Sequence, residues 1–157
     1  MTENKQELLI VDDNPENLRV LNSMLQQEGY GVRAAKSAKQ ALASIDIAEP
    51  DLVLLDVHMP EMDGFELCKH IKNNSKYLNL PIIFLSALGD TFNKKLGFEA
   101  GAVDYMTKPF DIEEVKVRIK THLKLKASLM EQARLKAEIA RKDEEIKILK
   151  SKLDSNA

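Results

Sequence analysis

Apolar residues fall along this chain in short unbroken runs, separated by longer stretches with helical spacing. Leu8-Leu-Ile-Val11, Val32-Arg-Ala-Ala35, Asp51-Leu-Val-Leu-Leu-Asp56, Pro81-Ile-Ile-Phe-Leu-Ser86 and Val103 to Thr107 read as strands. Four consecutive apolar residues, as in Leu52 to Leu55, predict a strand buried on both faces, the condition of a parallel sheet. Between the runs, Leu18, Leu21 and Leu25 repeat at helical spacing. Asn14-Pro15 opens that helix and Gly29 stops it. Ser37 caps a second helix to about Ala48, with Ala41, Leu42 and Ile45 on one face. Gly64 to about Asn74 reads as a third, with Phe65, Leu67, Cys68 and Ile71 inward. A fourth lies near 91–100 and ends at Gly101. Strands alternating with helices predict an α/β fold, a doubly wound five-stranded parallel sheet covered on both faces.

The last helix breaks this rhythm. Asp111 is a good N-cap with Glu114 three residues on, and Phe110 and Val115 occupy hydrophobic-staple positions. No Gly or Pro follows, so the pattern predicts an extended C-terminal helix from 112 to about 153, ~60 Å long at the usual rise. Heptads fit from residue 125. Position a takes Leu125, Gln132, Ile139, Ile146 and Leu153, and position d takes Ser128, Leu135, Lys142 and Leu149. Six of these nine are apolar, which points to a parallel coiled coil with a weak middle. In such a pair Glu131 would face Lys136 and Glu145 would face Lys150, whereas Glu138 would meet Asp143. A solvated single helix with salt bridges within the chain is the competing reading. The expected organisation is a globular domain over 6–122 and a helical extension over 123–157.

Charge supports the division. The chain of 157 residues carries a net −2, but residues 1–110 hold 11 basic and 16 acidic residues, and residues 111–157 hold 12 and 9. The tail alternates signs, so the expectation is no nucleic acid as a partner. The chain's one cysteine, Cys68, allows no disulfide within the chain and suggests a reducing, cytoplasmic setting. The polar N-terminus lacks a signal-peptide core, and no apolar run approaches membrane-spanning length, so no membrane partner is expected.

Chemistry collects where parallel strands end. Strands one, three, four and five deliver Asp12-Asp13, Asp56, Ser86-Ala87 and Lys108-Pro109 to one edge of the sheet, where open α/β folds place their sites. Clustered carboxylates repel and raise one another's pKa, and a divalent cation relieves that. Hard oxygen donors suit Mg²⁺, which completes its octahedron with water and phosphate oxygens. A lysine and a hydroxyl nearby would hold a phosphoryl group, and a central Asp could accept it covalently. Glycine-rich nucleotide loops are absent from the sequence.

In these residues the chain resembles the receiver domain of response regulators in two-component signalling. The resemblance spans about residues 6–122. It rests on Asp12-Asp13, on Asp56 with Met59-Pro-Glu-Met-Asp-Gly64, on Ser86-Ala87, and on Tyr105-Met-Thr-Lys108-Pro109-Phe110. It implies a flavodoxin-like sheet of order 2-1-3-4-5 and a cytoplasmic phosphorylation switch rather than an enzyme. It further implies Asp56 as phosphoacceptor, and Asp13, Asp56 and the His58 backbone carbonyl as Mg²⁺ ligands, with Asp12 acting on the metal through water. Lys108 would pair with the phosphoryl group, and Ser86 and Tyr105 would be the switch residues. The implied partners are a sensor histidine kinase or phosphotransfer protein, and a second copy of the chain through the fifth helix and tail. The chain would be either a single-domain adaptor or the front of a larger signalling enzyme. A haloacid-dehalogenase-like phosphotransferase is a poorer match, because His58 stands where that class has a second Asp.

Overall fold

The computed structural model describes residues 4–87 and 94–156. The elements run β1 (Glu7–Val11), α1 (Pro15–Gln27), β2 (Gly31–Ala35), α2 (Ala38–Ile47), β3 (Leu52–Asp56), α3 (Gly64–Lys72), β4 (Ile82–Ser86), α4 (Lys94–Glu99), β5 (Asp104–Thr107) and α5 (Ile112–Ser155). All strand pairs are parallel, and the sheet order is β2-β1-β3-β4-β5, as the sequence pattern and the resemblance led us to expect. A turn of 3-10 helix at Ser75–Tyr77 was not foreseen. The Asn74 side chain accepts from Lys76 N there, a local cap too short to produce a periodic signal. The fourth helix was expected near 91–100, and its residues 91–93 lie outside the described ones.

Local signals fix the helix starts. Asn14 Oδ1 accepts from Glu16 N at 2.9 Å, Ser37 Oγ from Gln40 N at 3.2 Å, and Asp63 Oδ1 from Glu66 N at 2.9 Å. Asp111 Oδ1 accepts from Glu113 N and Glu114 N at 2.9 and 3.4 Å, so the predicted cap of α5 is in place. Its other half differs from the expectation: the Glu114 side chain takes Arg118 Nε at 3.0 Å.

Strand residues divide by parity, as a pleated sheet requires. Leu9, Val11, Val53, Leu55, Ile82 and Phe84 pack with Ala41 and Ile45 of α2 and Leu67, Cys68 and Ile71 of α3. Leu8, Ile10, Leu52, Leu54, Ile83 and Leu85 pack with Leu18, Leu21 and Leu25 of α1 and Val115, Ile119 and Leu123 of α5. Phe110 joins Val115 in this second cluster, which is the expected staple. Burying each such side chain contributes about 1.5–3 kcal/mol, so the central strands are the rigid frame on which the carboxyl edge is built. Asp104, at the opposite edge, ties β5 to α5. Arg118 Nη1 donates to both its oxygens at 2.7 and 2.8 Å, and His122 Nε2 lies 3.0 Å from Oδ2. Burial alone would raise this carboxyl, but the hydrogen bonds from His122 and Arg118 hold it below the usual range.

Contacts divide the chain into two units, Met1–Leu123 and Lys124–Ala157. The second unit is the distal part of α5, and none of its described residues is buried. Among the described residues, no helix is long and apolar enough to cross a membrane.

Candidate functional site

Strand order places the site. β1 and β3 are neighbours, with β2 on one side and β4 and β5 on the other, so the winding reverses between β1 and β3. Crossover helices leave a crevice at such a reversal, beyond the carboxyl ends of the strands. Asp12 and Asp13 follow β1 and Asp56 ends β3, on the two sides of that crevice. Val11 pairs with Leu55, Asp56 with Leu85, and Ser86 with Thr107, which brings the ends of β1, β3, β4 and β5 level.

Carboxylate oxygens of Asp12, Asp13 and Asp56 all lie within 4.8 Å of one another. Asp12 is fully buried, Asp56 is 6% exposed and Ser86 4%, whereas Asp13 opens to solvent. Lys108 Nζ reaches across from the end of β5, 3.0 Å from Asp12 Oδ2 and 3.4 Å from Asp56 Oδ1. Asp12 has further anchors: its Oδ1 accepts from Asn14 N at 2.9 Å and its Oδ2 from Asn17 Nδ2 at 3.1 Å. These bonds fix its orientation. Asp56 has fewer supports. Burial pushes its carboxyl up to about 6, Asp12 adds to the rise, and Lys108 opposes it.

Three hard oxygen donors crowded around one lysine fit a small divalent cation. Burial raises the Asp56 carboxyl first and the neighbouring Asp12 charge adds to it, with Lys108 offsetting only part, and a cation held between the carboxylates would relieve that repulsion. The donor set includes no thiol or imidazole, which favours Mg²⁺ over softer metals.

The loop after β3 shapes the floor of the pocket. Gly64 N donates to Val57 O at 2.8 Å. A Cβ on Gly64 would stand 2.3 Å from the Asp56 carbonyl oxygen, so only glycine lets this loop close. Glu61 takes a left-handed φ of 71° in the same loop. Behind β5, Lys108 N donates to Ser86 O at 2.7 Å, tying the lysine to the strand that carries the serine. Tyr105 is half-buried on β5, with Lys94 Nζ 4.7 Å from its ring centroid. His58 is exposed at the pocket rim. Cys68 is far from any reactive setting: it is fully buried, its thiol donates to Ala100 O at 3.4 Å, and burial pushes it up to about 11.

The structure therefore brings Asp12, Asp13, Asp56 and Lys108 into one pocket and ends β4 on Ser86 beside it. Two supporting residues had escaped the sequence reading. Asn17 lies on the first turns of α1 with no motif to mark it, and Gly64, read as a helix start and as part of the motif after Asp56, gave no sign of its close approach to the Asp56 carbonyl.

The doubly wound fold, with a buried aspartate, acidic neighbours and a bridging lysine at its switch point, marks out one class of protein. The response regulator receiver domain family matches residues 8–120, and the chain belongs to that family, the receivers of two-component signalling. The relatives agree. The alkaline phosphatase synthesis transcriptional regulatory protein PhoP of Bacillus subtilis is 41% identical over 117 residues, 74% of this chain and 48% of its own. A Vibrio cholerae protein named "Probable cyclic di-GMP phosphodiesterase" is 41% identical over 143 residues, 88% of this chain and 32% of its own. The crystal structure of chemotaxis protein CheY4 of Vibrio cholerae matches at 32% identity and a TM-score of 0.70, covering 74% of this chain and 98% of that one. The chain spans about a third to a half of the length of these two curated relatives.

Proposed function

We propose that the domain accepts a phosphoryl group on Asp56 from the phosphohistidine of a sensor histidine kinase or phosphotransfer protein. The observation that carries this reading is the set of three carboxylates within 4.8 Å, two of them joined by Lys108. An Asp56 oxygen forms the new P–O bond while the P–N bond of the donor breaks and its electron pair returns to the donor imidazole. Lys108 stands where charge on the transferring group develops, and its position is fixed beforehand by Asp12. Asp13, Asp56 and the His58 carbonyl would hold Mg²⁺, with Asp12 acting through water. Bound there, the ion supplies positive charge to the phosphoryl oxygens. Water later cleaves the acyl phosphate, releasing phosphate and restoring the carboxylate.

Switching needs contacts that exist only in the phosphorylated state. Ser86 Oγ and Lys108 Nζ would make them with the phosphoryl oxygens, and Tyr105 would follow Ser86. The responding surface comprises α4, β5 and the proximal part of α5. A second copy of the chain pairs through the fifth helix and tail, and phosphorylation changes that association. We place the protein in the cytoplasm, with no nucleic acid or membrane contact by this segment. It works as a switch and turns over no separate substrate.

Incubation with acetyl phosphate and Mg²⁺ should add one phosphoryl mass, labile to hydroxylamine as an acyl phosphate is. Asp56→Asn should abolish the adduct, and chelation of Mg²⁺ should suppress it. Retention of the adduct in Asp56→Asn, or a hydroxylamine-stable one, would remove Asp56 as the acceptor. Sedimentation with and without beryllofluoride tests the link to the tail; an unchanged oligomer refutes it.

A further inference from the structure

We infer that the partner of residues 125–153 is a second copy aligned parallel and in register, with Gln132 facing Gln132 and Lys142 facing Lys142 across the seam. The inference rests on the pairing proposed above and adds the layer-by-layer register, the ground for rejecting the antiparallel alignments, and the role of Lys142.

Leu125, Leu135, Ile139, Ile146, Leu149 and Leu153 are 44% to 71% exposed on an unbroken helix, and from Leu135 onward they follow at three or four residues except where Lys142 stands between Ile139 and Ile146. Pairs within the chain stabilise a solvated helix little, and an exposed a/d stripe of this kind is stabilised by packing into a partner. The candidate alignments differ in which residues share a layer. In a parallel, in-register pair each layer holds the same residue twice. Leu125, Leu135, Ile139, Ile146, Leu149 and Leu153 then form all-apolar layers, and Ser128, Gln132 and Lys142 meet only their own kind. Glutamine pairs can hydrogen-bond across the seam, so little polar surface is buried against aliphatic surface.

Antiparallel pairing mixes the layers, because a then faces d. The alignment with the longest overlap sets Ser128 against Leu153, Gln132 against Leu149 and Lys142 against Ile139, leaving Leu135 with Ile146 as the sole clean combination. Shifting by a heptad restores apolar layers between Ile139 and Leu149 and between Leu135 and Leu153. That shift also sets Lys136 against Lys150, Asp143 against Asp143 and Glu145 against Glu145 along the flanks. The opposite shift sets Glu131 against Glu145, Glu138 against Glu138 and Lys124 against Lys152. Like charges held that close are destabilising. The parallel register instead offers Glu131 to Lys136 and Glu145 to Lys150, and its unfavourable combinations are Glu138 with Asp143 at the flank and the Lys142 layer in the seam. Lys142 sits beside that combination and already reaches Glu138 of its own chain at 3.7 Å. Its ammonium can therefore snorkel to the two acids at the flank while its stem stays in the seam. The Lys142 layer weakens the pair and specifies its register at once.

The full-length chain carrying Leu149→Cys, with native Cys68 buried, should form a 149–149 disulfide under mild oxidation. A variant with Ile139→Cys should do likewise, and a mixture of the two singles should give little 139–149 product. Lys142→Leu should tighten the dimer about tenfold or more by sedimentation, because it replaces a charged layer by an apolar one. Ile146→Lys should dissociate it while the domain's thermal transition stays in place. A dimer whose cross-links join 139 to 149 or 132 to 149 would overturn the parallel register but leave dimerisation standing. A monomer at all accessible concentrations would overturn both.

Discussion

Leu54 on β3 and Leu149 on the distal part of α5 are the same side chain in opposite conditions. Leu54 is fully buried among Leu8, Ile10, Ile83 and the inward faces of α1 and α5, whereas Leu149 is 59% exposed. The difference is one of geometry rather than composition. A parallel strand brings neighbours to both its faces through hydrogen-bonded strands and crossover helices, so four aliphatic residues in a row are satisfied by the same chain. Along the distal part of α5 none of the described residues is buried, and the cover proposed for its stripe is a second copy of the chain. On that proposal, stability of the first unit is intramolecular and that of the second depends on concentration.

The largest effect expected from breaking this contrast lies in the sheet. Leu54→Ala should cost about 2–5 kcal/mol, lowering the domain's thermal midpoint by the same amount at every protein concentration. Leu149→Ala should leave that midpoint alone and shift only a concentration-dependent helix signal in circular dichroism. If Leu149→Ala lowered the domain midpoint as Leu54→Ala does, the two units would not be energetically separate.

Next comes the pocket. Asp56 ionises only near 6 in the folded protein, against ~4 for an unperturbed aspartate. The unfolded chain thus loses its proton first. Folding stability is unaffected by Asp56 below about pH 4 and falls as pH rises from there to about 6. Above that the full penalty applies, about 1–3 kcal/mol. Asp56→Asn should accordingly stabilise the metal-free protein by about that amount at pH 7.5, and by nothing at pH 3.5. Adding Mg²⁺ should raise the wild-type midpoint at pH 7.5 and leave the variant nearly unmoved. Equal Mg²⁺ responses in both proteins would show that the ion acts elsewhere.

Gly64→Ala sharpens the same region. Its Cβ meets the Asp56 carbonyl at 2.3 Å, a backbone atom that cannot swing aside, so the loop must shift. About 1–3 kcal/mol of stability should go, together with Mg²⁺ affinity measured by calorimetry. A loss of stability with unaltered Mg²⁺ affinity would detach the loop from the metal site.

Much of the first unit was legible because its signals are local and redundant. The run Leu52 to Leu55 could only be a doubly buried strand, and parallel winding then forced Asp12, Asp56, Ser86 and Lys108 to one edge. Lys108 bridging Asp12 and Asp56 is a contact over 96 and 52 positions, and only the strand order makes it visible. Asn17 was illegible: it is an ordinary polar residue, half-buried at a helix start, and its bond to Asp12 depends on the turn at Asn14. Gly64 was half legible, since sequence shows that a loop lies there but not that a carbonyl stands where its Cβ would go. The Glu114 cap bond failed because Arg118, one turn on, offered a charged partner in place of a backbone amide. In the tail the heptads are plain in the sequence and the helix is continuous, but a single chain has no means of displaying its partner.

The smallest expected effect separates the helix from its seam. Arg134 lies 2.7 Å from Glu131 and 3.3 Å from Glu138, all on exposed parts of the tail, and Arg134 itself occupies neither a nor d. Such pairs hold two flexible side chains in one geometry against water and salt, and they contribute little. Arg134→Ala should therefore move neither the dimer constant nor the domain midpoint measurably, with at most a slight loss of tail helicity at low salt. Lys142→Leu, only eight positions along the same helix, should act on the dimer strongly and in the opposite direction. The contrast isolates the seam from the surface charges: if Arg134→Ala dissociated the dimer while Lys142→Leu left it unchanged, the partner would be held by the Glu131, Arg134 and Glu138 face, and the heptad stripe would lie outside the interface.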